Sequence, residues 1–159
     1  MRNLKLELNS LETTNYVAQK MAEHLFQGSI MLFWGDMGSG KTTFIKSLCS
    51  GLGVLPEKVT SPTYTLVNIY KCNWHIFHVD LFRLTAPEQL YDMDRAALIA
   101  DHGITMVEWP QMLQNYLTDE PVLNLHFKNV SEHHRRLILE TELSEFDIFF
   151  NTMEQQNLS

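Results

Sequence analysis

Ile30-Met31-Leu32-Phe33-Trp34-Gly35-Asp36-Met37-Gly38-Ser39-Gly40-Lys41-Thr42 is the stretch that decides the fold. Residues 30 to 34 are continuously apolar, which in a parallel sheet covered by helices on both faces means a buried central strand. Residues 35 to 42 match G-x-x-x-x-G-K-[ST], a loop whose glycines let backbone N–H groups close around phosphates. In that pattern Lys41 reaches the outer phosphates, Thr42 offers a hydroxyl to Mg²⁺, and the helix that follows adds the partial positive charge of its N-terminus. The position between an apolar strand and a helix separates a phosphate cradle from a plain glycine-rich turn.

Working outward, Leu4, Leu6 and Leu8 alternate with Lys5 and Glu7, which predicts a strand over residues 3–8. Val17, Ala18, Met21, Ala22 and Leu25 lie on one face of a helix capped near Ser10 or Thr13 and ended by Gln27-Gly28. After the loop, a helix over 41–52 closes at Gly51 and Gly53. A Pro56 and Pro62 loop then leads to a strand over 65–71 and, through a hairpin at 72–74, to a strand ending at Asp80. Thr85-Ala86-Pro87-Glu88 reads as a capping box that starts a helix running to about Ala100. Ile104 to Val107 predicts a short strand ending at Glu108, Pro110 opens a short helix, and residues 122–128 and 136–142 read as a closing hairpin. Residues 145–159 are expected to be a weakly ordered amphipathic tail. The expected fold class is therefore α/β: a single P-loop NTPase-type domain over 1–159, with a mixed, mostly parallel sheet flanked by helices and an antiparallel hairpin near the C-terminus.

The bulk properties agree with one compact domain. Of the 159 residues, 45% are apolar and 19% charged, which excludes disorder and collagen-like repetition. No apolar run approaches the roughly 20 residues that span a bilayer, and the N-terminal residues lack a secretory apolar core, so a cytoplasmic protein with no membrane association is expected. Cys49 and Cys72 lack C-x-x-C spacing, so ordinary reduced thiols are expected rather than a zinc site or a disulfide. A net charge of −7 argues against holding a phosphodiester backbone unaided, so any nucleic-acid role needs a basic partner.

A phosphate cradle needs carboxylates at the ends of neighbouring strands to hold the metal and polarise water, and Asp80 and Glu108 are the candidates. An acid in such a place is otherwise a turn residue or a helix cap. Thr60-Ser61-Pro62-Thr63-Tyr64-Thr65 gathers hydroxyls around a proline, which suits either a segment that senses the γ-phosphate or an ordinary loop. His75 and His78 fall on opposite faces of a strand and are read as structural rather than as a metal pair. His133-His134-Arg135-Arg136 reads as a solvated turn, or as a contact to a nucleotide or a partner.

Taken together, these motifs resemble the bacterial TsaE ATPases of tRNA threonylcarbamoyladenosine synthesis, over about Ser10 to Leu139. The resemblance rests on residues 35–43, on Ser61-Pro62-Thr63-Tyr64-Thr65-Leu66, on His78-Val79-Asp80-Leu81-Phe82-Arg83-Leu84 and on Val107-Glu108-Trp109-Pro110, in family order. The chain departs from the family at Val17-Ala18 and at Asp92 to Ala97, where the family often has glycine, and at Lys46-Ser47, where it has Arg-Gly. The likeness implies an ATPase that is slow alone, binds ATP with Mg²⁺, and works with the TsaB and TsaD proteins on adenosine 37 of tRNAs reading ANN codons. Contact with tRNA would be indirect, through that complex. It further implies that Gly35, Met37, Gly38, Ser39, Gly40, Lys41, Thr42 and Thr43 cradle the nucleotide and that Thr42 and Glu108 hold Mg²⁺. Lys41, Asp80 and Glu108 would be catalytic, Asp80 acting on the water or in the metal shell. Thr60 to Thr65 would be the switch, with Leu11 to Thr14 and Arg135 flanking the adenine.

Two other readings use the same loop. A small-molecule kinase needs a substrate pocket and usually arginines on a closing lid, whereas Arg83, Arg95, Arg135 and Arg136 are scattered. A nucleotide-gated binding module would use ATP only to set a conformation.

Overall fold

The structure is a computed structural model that describes residues 1–62, 64–156 and 158. In chain order its elements are β1 (Arg2–Leu8), α1 (Leu11–Ala22), β2 (Ile30–Trp34), α2 (Lys41–Gly51), β3 (Val67–Lys71), β4 (His75–Asp80), α3 (Glu88–Tyr91), α4 (Arg95–Leu98), β5 (Ile104–Glu108), β6 (Leu123–Asn129), β7 (Arg135–Thr141) and α5 (Asp147–Gln155). Single 3₁₀ turns lie at Pro56–Lys58, Pro110–Leu113 and Ser144–Phe146. The strands form one seven-stranded sheet in the order β1-β7-β6-β2-β5-β4-β3. Strands β6, β2, β5 and β4 are parallel neighbours, while β7 and β3 run antiparallel to the strands beside them. The expected α/β class, its mixed sheet and the closing hairpin are all present.

The apolar run of β2 is buried because the sheet is covered on both faces. Met31 and Phe33 join the larger core with α1, α2 and α5, and Ile30 and Leu32 join a second core with Leu90, Leu98 and Leu113. The same alternation positions the site. Ile76 on β4 and Met106 on β5 pack into the larger core on the α2 side, so His78 with Asp80, and Glu108, project to that side two and four residues on. Pairing sets Asp80 opposite Glu108, and Phe33, the penultimate residue of β2, opposite Glu108 as well.

Helix α1 starts at Ser10, whose hydroxyl accepts from the Thr13 amide. The departures at 17–18 and 46–47 do not keep α1 from α2. A Cβ on Gly51 would stand 2.8 Å from the Ala22 Cβ, so the close approach is made at Gly51, and the Ser47 hydroxyl bonds the Asn15 side chain.

Three expectations need correction. The helix from Thr85 to about Ala100 is two short pieces, α3 and α4, because Asp94 takes an extended conformation and its carboxylate accepts from the Ala96 amide, restarting the helix. Nor does Glu88 close a capping box there: the Gln89 side chain takes the Thr85 and Ala86 amides. The weakly ordered tail is instead a packed element. Phe146, Phe149, Phe150 and Met153 are buried at a helical spacing, Arg2 lies over the Phe150 ring and bonds Asp147, and the Glu7 amide bonds the Leu158 carbonyl. Asn157 and Ser159, also within that expected tail, lie outside the described residues. Among the described residues no helix is long and apolar enough to cross a membrane.

Candidate nucleotide site

The loop from Gly35 to Gly40 is shaped by glycine. Gly35, Gly38 and Gly40 have φ of +144°, +74° and +100°, values that other residues adopt only with strain. Gly35 is also a close approach, since a Cβ there would meet the Phe127 carbonyl oxygen at 2.7 Å. Gly40 leads directly into α2, whose first turn carries Lys41 and Thr42.

A cavity of about 460 Å³ opens above the loop. Met37, Gly38, Ser39, Gly40, Lys41, Thr42 and Thr43 line it from below, Asp80 and Glu108 from the strand ends, and Arg135 from β7. Gly35, at the start of the loop, does not line it but lines a neighbouring cavity with Asp36, Ser39 and Phe127. Of the expected loop and carboxylate residues, all but Gly35 are thus gathered in one place, from the loop, α2, β4 and β5.

Lys41 is only 5% exposed, and its ammonium donates to the Gly35 carbonyl at 2.6 Å and the Asp36 carbonyl at 2.9 Å. Burial holds its pKa below the ordinary lysine value, while the negative charges of Glu108, Asp80 and Asp36 act in the opposite sense. The Trp109 ring lies against the same ammonium, 4.2 Å from Nζ to the ring centre, a cation–π contact. Trp109 has φ +57°, and its ring also packs on Phe82. A left-handed residue directly before a proline is a strained arrangement, and here it carries the indole onto the lysine.

The two carboxylates differ in their partners. Glu108 is 2% exposed; its Oε1 accepts from the Thr42 hydroxyl at 2.8 Å and its Oε2 lies 2.7 Å from His78 Nε2. Asp80 accepts from the Phe82 amide at 2.9 Å and, on its other oxygen, from the Ser61 hydroxyl at 3.3 Å. The cap-like role weighed for Asp80 is therefore present, in a residue that also faces the cavity.

A smaller cavity of about 180 Å³ adjoins the first, sharing Ser39, Gly40, Thr43 and Arg135. Leu11 and Thr14 wall it from α1, which brings them together with Arg135, while Glu12 and Thr13, also expected around a base, do not line it. Arg135 donates to the Ser131, Glu132 and His134 carbonyls, so its guanidinium is held at the hairpin turn. His134 and Arg136 both pair with Glu7, so that part of the basic run braces β1 against β7.

The segment expected to be a switch is tethered at its described residues by β3 and β4. Asn68 donates to the Thr60 carbonyl and accepts from the Thr65 hydroxyl, and the Tyr70 hydroxyl meets Thr60. Leu66, with φ +67°, delays the strand to Val67 rather than Thr65. Thr63, part of the expected switch, lies outside the described residues.

Trp109, Tyr70, Asn68 and the contact between His78 and Glu108 were not anticipated as parts of the site. The available signal was register: His78 lies two residues before Asp80, on the same face of β4. His75 is exposed and apart from it, as the odd spacing requires.

The model for the threonylcarbamoyl adenosine biosynthesis protein TsaE matches residues 8–138. Relatives named tRNA threonylcarbamoyladenosine biosynthesis protein TsaE include one from Rickettsia felis, 30% identical over 141 residues, covering 88% of this chain and 81% of the relative. Another, from Synechocystis sp., is 37% identical over 119 residues, covering 70% and 73%. The crystal structure of YdiB from Bacillus subtilis shares the fold, with a TM-score of 0.72 over 98% of this chain and 97% of that one at 21% identity.

Proposed function

Because the chain belongs to the TsaE family of threonylcarbamoyl adenosine biosynthesis proteins, we propose that it is a Mg²⁺-dependent ATPase that acts in the threonylcarbamoylation of tRNA. The observation that carries the reading is the bond from the Thr42 hydroxyl to Glu108, which joins the phosphate loop to a strand-end carboxylate beside the buried Lys41.

The residues fit the groups. Ser39 Oγ is buried in the cradle with no hydrogen-bond partner among the described residues, and the loop glycines leave its rim open. Among the described residues no cluster of three or more His, Cys, Asp or Glu forms a self-sufficient metal cage. Two carboxylates and a hydroxyl instead suit Mg²⁺, which takes oxygen ligands and completes its shell with water and phosphate. Thr42 and Glu108 would hold the ion, and Mg²⁺ bound there would neutralise charge on the phosphate oxygens.

Lys41 supplies the fixed cation for the outer phosphates, released from the Gly35 and Asp36 carbonyls that it meets in the free loop. Asp80 orients water or the metal shell, and its bond to Ser61 connects it to the switch segment 60–65. Leu11 and Arg135 flank the base. With a net charge of −7, tRNA would be met through partners, for which the family likeness suggests TsaB and TsaD.

Turnover of ATP by the chain alone and beside TsaB and TsaD, with small phosphate acceptors screened in parallel, tests the reading. Slow hydrolysis alone and faster hydrolysis in the complex is expected. Phosphate transfer to an acceptor, or no turnover in either setting, would overturn it.

A further inference from the structure

His78 is fully buried between two groups that the mechanism above leaves unconnected. Its Nε2 lies 2.7 Å from Glu108 Oε2, and its Nδ1 lies 3.1 Å from the Tyr70 hydroxyl. The same hydroxyl oxygen stands 3.0 Å from the Thr60 carbonyl and accepts from the Thr60 amide at 3.3 Å.

Resting on the reading that Glu108 helps to hold Mg²⁺, we propose that His78 is a positioning residue. It clamps the Glu108 carboxylate and, through Tyr70, ties it to Thr60 at the start of segment 60–65. The direction of each bond follows from what the groups can donate. A carboxylate facing Thr42 on one oxygen can only accept on the other, so His78 Nε2 donates to it. The Tyr70 hydroxyl donates to the Thr60 carbonyl, accepts from the Thr60 amide and stands 3.1 Å from His78 Nδ1, and the Thr60 carbonyl accepts also from Asn68. Polar contacts thus run without a break from Thr42 to Thr60.

The consequence is twofold. Glu108 has both oxygens assigned before any metal arrives, so its rotamer is set by the protein, as partners of metal ligands commonly do. Any displacement of Glu108 is also passed by three hydrogen bonds to the backbone of Thr60.

The test uses the full chain with Mg²⁺ and a non-hydrolysable ATP analogue. In His78→Leu the Mg²⁺ concentration for half-maximal analogue binding, read by calorimetry, should rise about 10-fold, with metal-free analogue affinity within about 2-fold of wild type. In Tyr70→Phe, which loses one oxygen, the Thr60 amide should exchange at least about 10-fold faster. Its response to Mg²⁺ and the analogue should also disappear. An unmoved Mg²⁺ midpoint in a folded His78→Leu would overturn the clamp, and unchanged Thr60 exchange in Tyr70→Phe would overturn the tie. Should His78→Leu not fold, the Tyr70→Phe exchange decides alone. Failure of wild type to bind the analogue at all would instead overturn the proposed function, and so is distinguishable from either result.

Discussion

Two loops meet at the cavity, and they are held in opposite ways. Residues 35–40 are shaped by their own backbone: glycines at positive φ, a close approach to Phe127, and a lysine six residues on that returns to the Gly35 carbonyl. The described residues of 60–66 are exposed for the most part; besides backbone bonds at Leu66 to Pro62 and Asp80, they are held by side chains belonging to β3 and β4, namely Asn68, Tyr70 and Asp80. The first loop keeps its glycine-set backbone and its approach to Phe127 even if Lys41 turns to a ligand. The second, if it is a switch, would be released by changing a few hydrogen bonds, each worth about 1 kcal/mol, the range in which a ligand can shift a population.

The largest effect should come from the rigid loop. Lys41→Ala removes its only ammonium, and Mg-ATP affinity should fall at least about 100-fold, roughly 2.7 kcal/mol, in a calorimetric titration. Wild-type affinity in that variant would break the assignment of the loop. Next, Gly35→Ala places a methyl group 2.7 Å from the Phe127 carbonyl at φ +144°, so urea unfolding should show a loss of about 2–3 kcal/mol. A loss below about 0.5 kcal/mol would mean that the loop is no more rigid than its counterpart.

Where the loops touch the carboxylates the effect should be kinetic. Glu108→Ala is expected to lower turnover at least 10-fold, about 1.4 kcal/mol of transition-state stabilisation, with ATP binding largely kept. Unchanged hydrolysis across a Mg²⁺ titration would reduce Glu108 to a partner of Thr42 and His78. In the tethered loop, Asn68→Ala should cost about 1 kcal/mol or less in global unfolding. Amide exchange at Thr60 and Thr65 should nevertheless rise about 5-fold, and equal exchange in both proteins would show that the tether is not what holds the segment.

The smallest effect concerns pH. Burial lowers the Lys41 pKa, so its charge is lost, as pH rises, before the ordinary lysine value of 10.5. Nucleotide affinity should accordingly weaken on the alkaline side below pH 10.5, and a break at or above that value would mean that Lys41 is more solvated than its 5% exposure implies.

The central strand, the phosphate loop, the two strand-end acids and the hairpin were all legible in the sequence, because each is a local pattern: an apolar run, glycines before a lysine, an alternation that stops at an acid. The stripe at 146, 149, 150 and 153 was local too, but only its burial under the sheet distinguishes a packed helix from a tail. Asp94 shows the converse, where a good helical stretch is interrupted by one side chain that prefers to cap.

The residues that connect the site were settled only by tertiary structure. His78 and Glu108 are thirty residues apart and meet because β4 and β5 pair in a register that sets Asp80 opposite Glu108. Trp109 reaches Lys41 because a left-handed turn follows β5. Sequence by itself determined which groups are candidates to bind phosphate and where chain direction changes, since those depend on neighbours along the chain. Which buried donors face which acceptors depends on strand order and register, and these are decided by the whole sheet closing over its two cores.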